Sequence, residues 1–265
     1  MPALALAQSV LTSNASSLRE KWYRNSAEQQ LTAQCMKRLG FAYPIPYAGS
    51  APSLNTSTEF ALGRGYRTTY GVTQETLVDA PPSDPEADKP GYQLALDGPP
   101  GSMRKLIFPG EAAVAYGTGG CHGSARSKLY GSVGAYMLSI YLPQIENNLF
   151  EEFISRDQTY LSALDTWQAC MRSDRFSVAD PSDAIGSLLE IADKTSEADL
   201  MRRQTALAAA DASCDGPSHL RQRTNQALGK FVGSLSRQTL TQLNDIARSQ
   251  AKANQIAQHV IDLAP

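Results

Sequence analysis

The chain has 265 residues, 42% hydrophobic, 8% aromatic and 19% charged, and 24 basic side chains against 26 acidic ones leave a formal net charge of −2. That length buries a core as one large domain or two small ones, and the apolar content excludes a disordered chain. No window approaches the roughly 20 apolar residues of a membrane span, and the near-zero charge carries no global signal for nucleic acid or an acidic membrane surface.

At the start, Ala3-Leu4-Ala5-Leu6-Ala7 before Gln8 reads as the tail of a signal peptide with an A-x-A cleavage site, although the basic region and most of the apolar region are missing. On that reading the numbering begins at an internal Met of an exported precursor; an apolar helix start is the alternative. Residues 9–40 carry few breakers and end at Gly40, which predicts a helix closed by a glycine, with Leu18, Trp22, Leu31, Cys35 and Leu39 as a partial apolar face. Residues 41–101 hold nine of the fifteen prolines and seven glycines, so loops and short strands are expected there. Tyr66–Val72, Thr76–Val78 and Met103–Phe108 are the candidate strands. Residues 75–97 carry six acidic side chains against one lysine and read as a solvated loop; they lack the alternating spacing and central glycine of a calcium-binding loop.

The C-terminal half is poor in breakers. Ile145, Leu149, Phe153, Leu161, Leu164, Trp167 and Met171 recur at helical spacing over 144–174, with Pro143 in the first turn. A helix near 183–193 follows, then one that Ser196 caps with Asp199 three residues on, running to Cys214. Asp215-Gly216-Pro217 is expected to break the chain. Residues 218–263 place Leu220, Leu228, Phe231, Leu235, Leu243, Ile246, Ile256 and Val260 on one drifting stripe, which as a single helix would span roughly 65 Å, with a kink expected at Gly229 or Gly233. The predicted fold is therefore mainly α: a helical bundle with long C-terminal helices and an irregular Pro/Gly-rich segment carrying short strands. It reads as one domain, residues 1–265, with an N-terminal helix at 9–40, an irregular insertion at 41–140 and a helical part at 141–265.

Four cysteines, Cys35, Cys121, Cys170 and Cys214, are widely spaced, and the three histidines are scattered, so no zinc-type cluster is indicated and no cofactor or metal is expected. Two disulfides and four buried thiols fit the count equally well. Cys35-Met36-Lys37-x-x-x-Phe41 is echoed by Cys170-Met171-Arg172-x-x-x-Phe176 at two predicted helix ends. If each cysteine of this repeat tethers its helix end to a later element, Cys35 pairs with Cys121 and Cys170 with Cys214, one of three possible connectivities.

Tyr116-Gly117-Thr118-Gly119-Gly120-Cys121-His122-Gly123-Ser124 is the most enzyme-like stretch, since a glycine turn before a helix presents backbone N–H groups to an anion. Cys121 as nucleophile with His122 as base is one reading, yet sequence neighbours seldom face each other, and a tight turn delivering Cys121 to a disulfide is the simpler one. There is no G-x-S-x-G elbow and no H-E-x-x-H. Glu151-Glu152 falls on a solvent face of its helix.

Taken in order from about residue 30 to 230, the chain carries Cys35-Met36-Lys37-x-x-Gly40-Phe41, Glu59-Phe60 followed by Gly65-Tyr66, and Tyr92-x-x-Ala95-Leu96-x-Gly98. Gly119-Gly120-Cys121-x-x-x-Ala125, Trp167-x-x-Cys170-Met171 and Asp211-x-x-Cys214 follow. This set resembles a family of exported actinobacterial proteins, many of them lipoproteins, and 16 arginines against 8 lysines match the bias of a GC-rich genome. The resemblance implies export and disulfides, not an activity. Asp174 and Arg175 stand where the family tends to have glycine, and no lipobox cysteine is visible.

The functional expectation is a secreted or cell-envelope, disulfide-braced helical protein that binds a small ligand or a partner protein. Its contact surface would lie in the tyrosine-rich segment, with Tyr66, Tyr70, Tyr92 and Tyr116 as binding residues. An extracellular hydrolase or transferase with a site near Gly117–Ser124 is the alternative, and a homo-oligomer assembled through the C-terminal helix is a third.

Overall fold

The computed structural model describes residues 2–11, 15–45, 84–108 and 113–262. Along them run α1 (Pro2–Leu11), α2 (Ala15–Arg38), α3 (Tyr92–Asp97), β1 (Met103–Ile107), β2 (Ala113–Gly117), α4 (Gly120–Tyr130), α5 (Val133–Ile154), α6 (Gln158–Ser173), α7 (Pro181–Ala192), α8 (Glu197–Ser218), α9 (Leu220–Ser234) and α10 (Arg237–Asp262). The protein is mainly α, a bundle of helices with, among the described residues, one antiparallel hairpin, β1 against β2, in which Arg104 faces Tyr116 and Leu106 faces Val114.

The helices start where their sequences cap them. Ser132, Asp157, Asp180 and Ser196 each accept hydrogen bonds from first-turn N–H groups of α5, α6, α7 and α8, satisfying donors that have no partner within the helix. Among the described residues the apolar faces then pack into four cores. Trp167, Met171, Leu188, Leu200 and Leu207 join α6, α7 and α8, whereas Ala7, Leu142, Phe231, Val232 and Leu243 join α1, α5, α9 and α10. Ala27, Leu31, Ala125, Leu129 and Ala253 bring α2, α4 and α10 together through small side chains, and Met36, Tyr92, Leu96 and Cys121 close a fourth cluster beside them. In the first core the Trp167 indole donates to Asp211 at 2.9 Å with both groups buried, so neither polar atom is stranded.

The repeated Cys-Met motif has a common structural cause. The Phe41 N–H reaches the Met36 carbonyl at 3.0 Å and the Gly40 N–H reaches Lys37 at 3.1 Å; Phe176 and Arg175 make the same two bonds to Met171 and Arg172, at 2.9 and 3.0 Å. Both helices thus end in a Schellman motif, which requires a left-handed residue before the returning N–H, here Gly40 (φ 85) and Arg175 (φ 68). The buried Met36 and Met171 lie in the same clusters as the returning Phe41 and Phe176. Each adjacent cysteine is bridged, Cys35 to Cys121 and Cys170 to Cys214, with Cα atoms 5.5 and 5.6 Å apart.

Several expected boundaries are corrected. The 144–174 helix is two helices: α5 begins at Val133, ten residues before Pro143, and ends at Ile154, and Asp157 then caps the start of α6. Pro143 is inside α5 and costs one backbone hydrogen bond rather than starting the helix. Gly216-Pro217 remains in α8; the turn falls at left-handed His219, whose N–H still reaches the Asp215 carbonyl at 2.7 Å. The terminal run divides between Ser234 and Arg237, and Gly229 and Gly233 stay within α9. Part of the irregular insertion is helical, since α3, α4 and the start of α5 lie within 41–140. β1 falls where the Met103–Phe108 strand is expected, while Tyr66–Val72 and Thr76–Val78 lie outside the described residues.

Candidate functional site

Three elements meet where the glycine-rich stretch enters α4. A side chain has no room there: a Cβ on Gly120 would lie 2.3 Å from the Leu96 carbonyl oxygen, and one on Gly98 would lie 2.6 Å from the Gly119 Cα. Both residues also have positive φ, at 65 and 80. The glycines therefore serve a backbone-on-backbone contact between the end of α3 and the start of α4. The Cys35–Cys121 bridge clamps the end of α2 against the same corner.

This packing assembles a polar row from distant segments. Asp97, at the end of α3, lies 2.9 Å from His122 Nδ1, and the Tyr43 hydroxyl lies 3.5 Å from His122 Nε2 while donating to Gln29 Oε1 at 2.6 Å. With its Nδ1–H given to the carboxylate, the ring turns Nε2 toward Tyr43. Burial, followed by the nearby charges of Glu28 and Asp84, raises the Tyr43 phenol above its ordinary value, so its hydroxyl keeps its proton and donates. Behind the row, buried Glu28 accepts from Arg126 Nε at 2.8 Å, and the Arg126 guanidinium stacks 4.6 Å from the centre of the Tyr136 ring. Tyr136 is pushed up to about 12 by burial and by Glu28, against the opposing pull of Arg126.

Beside this row is a cavity of about 270 Å³ bordered by Asp97, Gly98, Ser102, His122 and Arg126. His122 and Arg126 are four residues apart and share one face of α4, which is why one helix supplies both. The Ser102 carbonyl accepts from Thr118 N and Oγ1, at 3.1 and 2.8 Å, fixing the opposite wall. The cavity thus offers a carboxylate, an imidazole, a hydroxyl and a guanidinium, a set that orients a small polar ligand by hydrogen bonds.

The residues named from the sequence are placed as follows. Tyr92 is fully buried; its ring meets Phe41 edge-on with centroids 5.4 Å apart, and its hydroxyl donates to Asp84. Tyr116 is half-buried on β2, and Tyr66 and Tyr70 lie outside the described residues. Cys121 as a nucleophile is a correction: its sulfur is bonded to Cys35 and no thiolate is available there. Among the described residues one set of potential metal ligands clusters, Cys170, Asp174 and Cys214, but its two sulfurs are joined to each other. Tyr43, Asp97, Glu28 and Arg126 carry the site without forming a motif. The only sequence signal for them is the i, i+4 spacing of His122 and Arg126, because Tyr43 and Asp97 arrive from 79 and 25 residues away.

No family model, curated protein or solved structure matches this chain.

Proposed function

We propose that this is an exported protein that works by binding a small polar ligand in the cavity between α3 and α4, with Asp97, His122 and Ser102 as its hydrogen-bonding wall. The observation that carries this reading is the clamped corner itself. A disulfide, two glycines in backbone contact and the Tyr43–His122–Asp97 row fix polar groups around an open space before any ligand arrives, and such preorganisation lowers the entropic cost of binding. Export is supported by both disulfides, which persist in oxidising compartments, and by the motif set of the exported family it resembles. Among the described residues no helix is long and apolar enough to cross a membrane.

The export half is tested by intact mass of the protein recovered from its native host. A gain of about four hydrogens on reduction is expected, and four free thiols before reduction would count against it. The binding half is tested by a thermal-shift screen of sugars, amino acids and small carboxylates. Stabilisation of the wild type that disappears in His122→Ala supports the cavity; stabilisation retained in that variant places the ligand elsewhere.

A second reading, a hydrolase or transferase, is favoured by one observation: Asp97 orients His122 in the manner of a general base, with the Ser102 hydroxyl on the same cavity. Turnover of an activated ester that is lost in both Ser102→Ala and His122→Ala would move the assignment to it.

A further inference from the structure

The opposite face of α4 carries a second concavity with different chemistry. At 100° per residue, Ser124 and Lys128 point away from His122 and Arg126, and they face α2 rather than the polar cavity. The two helices run antiparallel: Cys35 is bonded to Cys121, while Glu28, about two turns earlier on α2, meets Arg126, further along α4. Between them opens a groove of about 450 Å³, the size of a small organic molecule. Its floor is apolar, made of buried Leu31 and Ala125. Its rim is cationic, with Lys37 and Arg38 at one end and Lys128 at the other, and Gln34 and Ser124 add an amide and a hydroxyl.

We propose that this groove binds the phosphate group of a small soluble ester. Charge complementarity identifies the occupant. All three cations are exposed, and among the described residues no carboxylate lines the groove and no ion pair is formed by Lys37, Arg38 or Lys128. Cations in the last turn of a helix offset its dipole, which accounts for each of them singly. It does not account for two helices directing theirs into one concavity. By helical rise the Lys37–Arg38 end and Lys128 stand about 15 Å apart along the helices, within reach of one another only through long side chains that fold over a ligand. An arginine fork with two ammonium groups matches the charge and the oxygen geometry of a phosphate dianion. The apolar floor gives an organic substituent a place that inorganic phosphate leaves empty. A concave groove walled by two helices admits a small ester more readily than a flat bilayer.

The test is calorimetric titration of the full, disulfide-intact chain with glycerol 3-phosphate, with glycerol and inorganic phosphate as comparators and sedimentation with phosphatidylglycerol vesicles as a separate arm. Saturable binding of the ester, none of glycerol, and a loss of about tenfold in either Arg38→Ala or Lys128→Ala are expected. Binding should weaken as salt is raised and stay unchanged in Lys105→Ala, an exposed cation on β1. All substituted side chains are exposed, so circular dichroism and both disulfides should be preserved. No saturable binding of the ester at millimolar concentrations, or equal binding by wild type and both groove variants, overturns the proposal. Sedimentation with the vesicles in the absence of ester binding overturns it in favour of a lipid surface.

Discussion

Glu146 is an acid in the wrong surroundings. It is 1% exposed on α5, its Oε2 has no hydrogen-bond partner, and burial raises its carboxyl above the usual range. The folded state therefore holds this proton more tightly than the unfolded state does, and the sign follows. Below the ordinary carboxyl value of about 4.3 the group is neutral in both states and the penalty vanishes; stability then declines as pH rises toward the raised value. Glu146→Gln lacks the charge and escapes that decline. It is expected to be more stable than wild type by about 1 kcal/mol at neutral pH, with the difference closing near pH 4. Urea unfolding at both pH values checks this, and a pH-independent difference would show that shape rather than charge is at fault. None of this is legible in the sequence, where Glu146 is one of several acids on an amphipathic helix. The Cys35–Cys121 bond, by contrast, was one of three connectivities open to the sequence, the one in which each cysteine of the repeated motif tethers its helix end to a later element, and the structure has that one.

At the scale of the element, the Schellman ends of α2 and α6 explain why the Cys-Met-Lys/Arg motif recurs. A cysteine one residue before a buried methionine, followed five residues later by a returning aromatic, places a disulfide at a capped helix end. The two copies are unequal: α2 uses Gly40 at the left-handed position and α6 uses Arg175, where a Cβ crowds the backbone. Arg175→Gly is therefore expected to stabilise the protein by about 0.5–1 kcal/mol, and Gly40→Ala to destabilise it by a similar amount. A shift of the urea midpoint with an unchanged slope is the measurement, and a destabilising Arg175→Gly would mean the guanidinium makes a contact worth more than the strain. Helix identity was readable from periodicity and caps, as with Ser196 and Asp199. Helix ends were less readable, because Pro143 and Pro217 are tolerated once packing holds the surrounding turns.

For the whole molecule, the disulfides join elements 86 and 44 residues apart, so they act mainly by restricting the unfolded chain. Replacing Cys170 and Cys214 together by alanine is expected to cost about 4 kcal/mol on the chain-entropy model, measured as a loss of unfolding free energy. A cost well under half of that would show that the native bond is strained or the reduced chain retains structure. Removing the first bridge should in addition loosen the corner that holds Asp97, His122 and Tyr43 together.

Composition, caps and periodicity determined a helical protein with a proline- and glycine-rich segment, since these are local consequences of side-chain shape and hydrogen-bonding capacity; the two disulfides, which join residues 86 and 44 apart, were open in the sequence and are fixed by the fold. The tertiary structure alone decided that Tyr92 is a core residue, that glycines at 98 and 120 bring two backbones into contact, and that one face of α4 is wired to Asp97 and Tyr43 while the other opens on Lys37 and Arg38. Those facts depend on which distant segments share a surface, and no spacing along the chain encodes a contact between residues brought together only by packing.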